Sequence, residues 1–388
     1  MTLEKISGGA VKLTGRIDAN NAKQFETELL AAAPEGDITI DAEELEYVSS
    51  AGLRVFLKLK KATGGSVDII NVSNDVYDIF DVTGFTSLLN VSKKLREVSV
   101  DGCEVIGEGA NGKVYRLDAE TIIKVFAPGV PMETVKEERD FARAAFVSGV
   151  PTAISYDVVK CGDSYGAVYE MLEAETLSSV IKKYPERAEE FGVRLGEMLK
   201  RLHSAQADTR ILKDMLKIYK QRAEGMRKYL TDKETAKLKS VYDALPERTT
   251  LLHGDFHVKN VMLMDDELIF IDMGDVGYGH PLLDWGSSYL GMVNIGRINP
   301  DAVEKYIGIS YDLCLRVWDK MAEAYFGADK AEEGKKLAEI YGLAKYTLVP
   351  FIYTKFTDEM ANRMVERWRK NGLISETYDI SMALGHTK

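Results

Sequence analysis

The run His253-Gly254-Asp255-Phe256-His257-Val258-Lys259-Asn260 constrains this chain more than any other stretch, because Asp272 follows Asn260 by twelve residues in Ile271-Asp272-Met273-Gly274-Asp275. Between them, Glu267-Leu268-Ile269-Phe270-Ile271 reads as a strand that delivers Asp272 to the same place as the loop. An Asp, an Asn and a second Asp in this order suit phosphoryl transfer. One carboxylate orients and deprotonates a hydroxyl, while an amide and another carboxylate hold magnesium on nucleotide phosphates. His253 and His257 stand four apart, a spacing that also suits zinc on one helical face. The pattern offers no third ligand, and Asn-then-Asp follows instead, so both histidines read as loop residues that bond backbone.

Upstream lies Gly107-Glu108-Gly109-Ala110-Asn111-Gly112-Lys113-Val114. A lone G-x-G-x-x-G fits three nucleotide folds and decides little. The Rossmann form needs a helix directly after the glycines. Here Lys113–Leu117 and Thr121–Phe126 both read as short strands, joined by the turn Leu117-Asp118-Ala119-Glu120. The Walker form needs Ser or Thr after its Lys, and Val114 stands there. What remains is a strand–Gly loop–strand flap, whose Val packs on an adenine. Such a flap calls for a Lys on the next strand. Lys124 sits between Ile122-Ile123 and Val125-Phe126, where a charge is costly unless paired. The helical stretch Val135–Val147 offers Glu138 as partner, with Glu137 as the fallback, before the Ser148-Gly149-Val150-Pro151 stop.

From about Gly102 to the C-terminus the chain resembles the aminoglycoside phosphotransferase and choline kinase superfamily. The matching pieces are Gly107–Val114, Lys124, Glu138, the hinge-like Tyr169-Glu170-Met171-Leu172-Glu173, His253–Asn260, Ile271–Asp275 and Gly279-His280-Pro281-Leu282-Leu283-Asp284. The resemblance implies a bilobal kinase-like fold that uses ATP and magnesium. It implies Asp255 as catalytic base, with Lys124 and Asn260 in the catalytic set, and Asn260 and Asp272 as metal ligands. Gly107, Gly109, Gly112, Val114, Lys124 and Glu138 would hold the nucleotide, and Glu170 and Leu172 would offer backbone groups to adenine. Asp284 and His253 would brace the catalytic loop, and Asp275 stands between bracing and a site contact. The Ala-Pro-Glu segment of ordinary protein kinases is missing, and the loop after Asp272 is very short.

The first hundred residues follow another pattern. Val11–Ile17 reads as a strand, and Ala22, Phe25, Leu29 and Leu30 fall at helical spacing. Asp37–Asp41 reads as a buried strand. Serines open a second helix at Ser49-Ser50-Ala51-Gly52-Leu53, expected over Ser50–Lys61 with Leu53 and Leu57 toward the sheet. A strand at Ser66–Asn71 and a helix at Asn74–Val82 complete a β-α-β-α-β-α order, which favours a small α/β layer. The segment resembles the STAS domain of bacterial anti-sigma factor antagonists. Leu13-Thr14-Gly15-Arg16-Ile17-Asp18, Ser49–Leu53 and Phe80-Asp81-Val82-Thr83-Gly84 carry the likeness. That resemblance implies a phosphorylated Ser at the start of the second helix, controlling a protein partner. Ser50 is the candidate by position, and Ser49 stands beside it. The family's Asp before that serine is lost here, and a serine at this place can equally serve as an N-cap.

The expected organisation is therefore a STAS-like α/β domain over 1–98 and a kinase-like α+β domain over 99–388. The latter divides into an N-lobe of about 99–172 and a mainly helical C-lobe of about 173–388. In the C-lobe, Phe191, Leu195, Met198, Leu199 and Leu202 share a helix face ended by His203, and Thr231 with Glu234 spells a capping box. Trp285, Tyr289, Trp318, Tyr325, Tyr346, Tyr353 and Phe356 could cage a quaternary ammonium, but their helical spacing favours a core role.

With 388 residues and 45% hydrophobic content, folded domains are expected throughout. A net charge of −11 argues against nucleic acid as partner. Cys103, Cys161 and Cys314 show no metal or redox spacing. No leader or membrane-spanning run is seen, so a cytoplasmic protein is expected. The chemistry points to transfer of the ATP γ-phosphate to a small-molecule hydroxyl, coupled to a STAS unit that takes a protein partner. A serine kinase acting on a STAS domain and a non-catalytic signalling scaffold are the alternatives. Intact Lys124, Asp255, Asn260 and Asp272 argue against the scaffold.

Overall fold

A computed structural model describes residues 1–6, 10–33, 35–109, 112–352 and 357–370. The chain separates into two units, Met1–Val98 and Ser99–Lys388. In the first, strands β1 (Thr2–Lys5), β2 (Val11–Ile17), β3 (Gly36–Val48), β4 (Gly64–Val72) and β5 (Asn90–Lys93) form one sheet in sequence order. β1 runs antiparallel to β2, and the remaining pairs are parallel. Helices α1 (Ala22–Ala32), α2 (Ser50–Thr63) and α3 (Asn74–Val82) bury one aromatic each. Phe25, Phe56 and Phe80 are fully buried and meet in series, each ring centroid 5.6 Å from the next. Such contacts dominate the energetics of a small core.

Several sequence expectations change here. β1 and β5 were not expected, and β3 runs on from Asp41 to Val48. Its inward residues Ile38, Ile40 and Ala42 alternate, then Leu45 and Val48 fall three apart. Register shifts against β2 absorb the break, as bulges do. α2 extends to Thr63, where Gly64 turns left-handed at φ 67° to close it. Leu57 is only half-buried, and Val55, Phe56 and Leu59 join Leu53 in the core instead. The helix N-cap is Ser49, whose Oγ accepts from Gly52 N at 3.3 Å, so capping does not fall to Ser50. Gly52 itself is sterically required, because a Cβ there would stand 2.6 Å from Ile17 Cγ2.

The second unit opens with an antiparallel sheet of β6 (Val105–Gly109), β7 (Gly112–Arg116), β8 (Thr121–Phe126), β9 (Ser155–Cys161) and β10 (Ser164–Glu170), in the order β6-β7-β8-β10-β9. Helix α4 (Met132–Val147) lies on β9 and β10, presenting Val135, Glu138, Phe141, Ala142 and Ala145 inward. Glu138 is the one charge on that stripe.

A helical part follows, with α5 (Leu177–Lys183), α6 (Ala188–Leu202), α7 (Met215–Gly225), α8 (Asp232–Asp243) and α9 (Leu282–Tyr289). Thr231 and Glu234 do form the capping box of α8. Later helices Tyr311–Phe326 and Ala331–Thr347 pack against α6 and α9 respectively. Trp285, Tyr289 and Trp318 are buried in this core, with Trp285 centroids 5.1 Å from both Trp318 and Tyr325. These rings pack on one another and form no cage. Tyr353 and Phe356 lie outside the described residues.

Candidate active site

A short hairpin, a second antiparallel strand pair and a buried carboxylate assemble the loop that carries Asp255. Val261–Met264 pairs antiparallel with Glu267–Phe270. The connecting Asp265 and Asp266 both have positive φ, 48° and 63°, the geometry of a tight two-residue turn. Ile271 N then donates to Asn260 O at 3.0 Å, so Asp272 emerges beside Asn260. Thr250–Leu252 pairs with Gly277–Gly279, which ties down the short segment after Asp272. Between these anchors, Gly254 has φ +85°, and a Cβ there would fall 2.1 Å from Asp275 O. Only glycine fits.

Asp284, at the start of α9, is fully buried. Its two oxygens accept from His253 N at 2.8 Å, Gly254 N at 2.7 Å and His203 Nε2 at 3.1 Å. Burial would raise this carboxyl, but these donors and the neighbouring histidines hold it below its ordinary value. His203 closes α6 and also meets Tyr325 Oη at 2.7 Å. His253 bridges the two loops, with Nε2 3.2 Å from Ile271 O and Nδ1 accepting from Asp255 N at 3.3 Å.

Asn260 Nδ2 donates to Asp255 O at 2.9 Å and to Asp255 Oδ2 at 3.3 Å. That spends the amide nitrogen and leaves Oδ1 as the group turned to other use. Burial alone would push the Asp255 carboxyl up. His257 in first place, with Lys345 and His253, outweighs it and holds the group well below the carboxylate range. Asp275 is exposed on this loop, where Lys345, Asp255 and Asp272 are its charged neighbours.

On the opposite wall, Lys124 Nζ stands 2.7 Å from Glu138 Oε1 and 2.9 Å from Asp272 Oδ1. Burial would lower this ammonium, but the two carboxylates raise it well above its ordinary value. Glu137 pairs instead with Lys213 at 2.6 Å, which settles the choice between the two glutamates. Tyr169 Oη lies 3.4 Å from Glu138 Oε1. A Cβ at Gly274 would meet Glu138 Oε2 at 2.9 Å, so α4 sits directly on the Asp272 loop. Asp272 has φ 58°, an uncommon conformation for a non-glycine residue and one that clusters at functional sites. Gly107 and Gly109 lie on β6, and Gly112 and Val114 on β7; Ala110 and Asn111 lie outside the described residues. At the end of β10, Glu170 N donates to Ile154 O at 3.0 Å, and Leu172 O accepts from Ala174 N at 2.9 Å.

Lys345 is a site residue that the sequence reading missed. It comes from helix Ala331–Thr347, and its Nζ donates to Gly254 O at 2.8 Å and Ser287 Oγ at 2.6 Å. No motif marks it, because its partners lie some 60 to 90 residues away (|i−j| 58 and 91).

A flap of two strands, a Lys–Glu pair, and an Asp–Asn–Asp set on braced loops define a kinase-like phosphotransferase. The chain belongs to the phosphotransferase enzyme family, whose sequence profile matches residues 102–324. A STAS profile of the Mlab type matches residues 4–90. This N-terminal segment is 34% identical over 98 residues to BtrV of Bordetella bronchiseptica, a protein assigned to the anti-sigma factor antagonists, covering 24% of this chain and 84% of that one. It is 33% identical over 88 residues to the anti-sigma-B factor antagonist of Bacillus subtilis, covering 22% and 81%. A solved aminoglycoside phosphotransferase, APH(2'')-Ib with ADP bound, aligns at 15% identity over 81% of this chain and 100% of its own, with a TM-score of 0.49. Among the described residues, no helix is long and apolar enough to cross a membrane.

Proposed function

We propose that residues 99–388 transfer the γ-phosphoryl group of ATP to a hydroxyl of a small molecule, and that the STAS unit binds a protein partner. The observation that carries the reading is Lys124 held between Glu138 and Asp272, with Asp272 directly beside the Asp255–Asn260 loop. Lys124 and the flap glycines Gly107, Gly109 and Gly112 would cradle the phosphates. Val114 would pack on the adenine, and Glu170 and Leu172 would address its edge. Asn260 Oδ1 and the half-exposed Asp272 carboxylate are hard oxygen donors of the kind magnesium takes. Magnesium, when bound, neutralises charge on the β- and γ-phosphates.

Asp255 would accept the acceptor's hydroxyl proton as the oxygen–phosphorus bond forms and the bond to ADP breaks. Against the burial that opposes it, the charges of His257, Lys345 and His253 favour the ionised form of Asp255. Asp284, His253 and Lys345 fix the loop on which it stands. Incubation with labelled ATP, magnesium and a panel of alcohols and amino alcohols tests the reading. Label on a small product, lost in Asp255→Asn, is expected; no labelled product from any acceptor counts against it.

A second reading is a serine kinase that acts on a STAS serine. Ser50 favours it, because its side chain is exposed at the first turn of α2 while Ser49 supplies the cap. Label on protein at Ser50 in the same experiment would select this reading.

A further inference from the structure

His257 is 3% exposed, yet neither ring nitrogen has a hydrogen-bond partner among the described residues. In any protonation state at least one of those nitrogens carries a proton. A buried donor without a partner costs stability, and native proteins rarely keep one without a use. The ring is not loosely held. Its backbone carbonyl accepts from Asn260 N at 2.9 Å, and its edge packs against Tyr306 at a centroid distance of 5.7 Å. Gly291 closes the third side, where a Cβ would stand 3.4 Å from His257 Cδ2. Gly291 lies in Leu290–Asn294, a π-helical turn, and such turns recur at functional sites. On its remaining side stands Asp255, whose Oδ2 is 3.5 Å from His257 Nε2. That is longer than an ordinary hydrogen bond, and it admits one oxygen within hydrogen-bond distance of both.

We propose that His257 Nε2 and Asp255 Oδ2 together bind the acceptor hydroxyl, an inference that rests on the phosphotransferase reading above. Oδ2 accepts the hydroxyl proton. Nε2–H donates to one oxygen lone pair and leaves the other facing the γ-phosphorus. In the step, the O–H proton passes to Asp255, the oxygen–phosphorus bond forms, and the bond from γ-phosphorus to ADP breaks. His257 keeps its proton throughout. The pair demands a single atom that both donates and accepts. An alcohol or water meets that demand, and an ammonium, which has no lone pair, does not. His257 is thus a specificity-determining residue for oxygen acceptors.

Water serves as the probe acceptor, read as slow hydrolysis of ATP with magnesium by the full chain, beside nucleotide affinity and melting temperature. His257→Leu removes the donor, and His257→Gln restores an N–H near the Nε2 position. The expected result is hydrolysis reduced about 10²-fold in His257→Leu, partial recovery in His257→Gln, and nucleotide affinity unchanged in both. The melting temperature of His257→Leu should hold or rise, since an orphaned polar group has been removed. Wild-type hydrolysis in His257→Leu overturns the inference. So does a melting temperature lowered by several degrees, which marks a structural histidine, even if hydrolysis is too slow to read. A wild-type chain that fails to bind ATP with magnesium instead overturns the phosphotransferase reading, and the inference with it.

Discussion

The two units bury different things. Among the described residues, Thr63 is the one buried polar residue of the STAS unit, whereas the phosphotransferase unit buries Glu138, His253, His257, Asn260 and Asp284. An apolar interior is the inexpensive solution, and a domain that keeps to it has its distinctive groups outside, as Ser50 is. Buried charges and amides are costly unless paired, and here they converge on one loop. The comparison teaches where to look for function: on the surface of the first unit and in the interior of the second.

The sharpest test of the interior site is its carboxylates. Asp255→Ala should lower turnover by about 10²–10⁴-fold with nucleotide binding largely intact, while Asp272→Ala should weaken binding of ATP with magnesium. Steady-state rates and calorimetry read the two, and reversed phenotypes would show the roles misassigned.

Asp284 probes the cost of interior polarity directly. Asp284→Ala orphans His253 N–H, Gly254 N–H and His203 together, so denaturant melts should show a loss of about 3–5 kcal/mol. A loss near that of an ordinary surface substitution would contradict the bracing role.

His280 gives the contrast a pH dependence. Burial in first place, then Arg248 and His203, hold its imidazole down at about 4 from an ordinary 6.5. The unfolded chain therefore binds a proton that the folded chain refuses between those values. The stability from this neutral histidine is present above pH 6.5 and is lost as pH falls toward 4, amounting to at most about 3 kcal/mol. Melts at pH 7 and pH 4.5 should show a smaller acid loss in His280→Gln than in wild type; equal losses would refute the account.

The smallest effects belong to the first unit. Ser49→Ala should cost about 1 kcal/mol by uncapping α2, and Ser50→Ala close to nothing. Ser50→Glu should weaken partner binding while leaving the melt unchanged, since a negative charge suits a helix N-terminus. Equal partner capture by wild type, Ser50→Ala and Ser50→Glu would remove Ser50 from the switch.

Much of this was legible because it is local. The Thr231–Glu234 box closes within a few residues, so its residue types declare it; the Gly254 turn and the Asp265-Asp266 hairpin are equally local but are read only from the structure. The apolar run around Lys124 marks it as a charge in need of a partner, and spacing to the Gly149-Val150-Pro151 stop favours Glu138 over Glu137; that Glu138 stands on the buried stripe of α4 is read from the structure. Lone edges were not legible. Thr2–Lys5 is a polar run that becomes a strand only by pairing with Val11–Thr14, and Asn90–Lys93 is ordered by β4. α2 begins at Ser50, as its spacing predicts, and the residue before it, Ser49, is therefore the cap.

By itself, then, the sequence determined the two-unit order, the flap with Lys124 on its next strand, and the close spacing of Asp255, Asn260 and Asp272, because each is fixed along the chain; that Glu138 and not Glu137 meets Lys124 was decided by the fold. Only the tertiary structure decided that Lys345 reaches Gly254 from a C-terminal helix, that Asp284 is sealed beneath the loop, and that the buried His257 ring stands 3.5 Å from Asp255 without a hydrogen bond among the described residues. Those facts depend on which distant surfaces exclude water together. A buried donor's missing partner is a property of its surroundings, which no local pattern encodes.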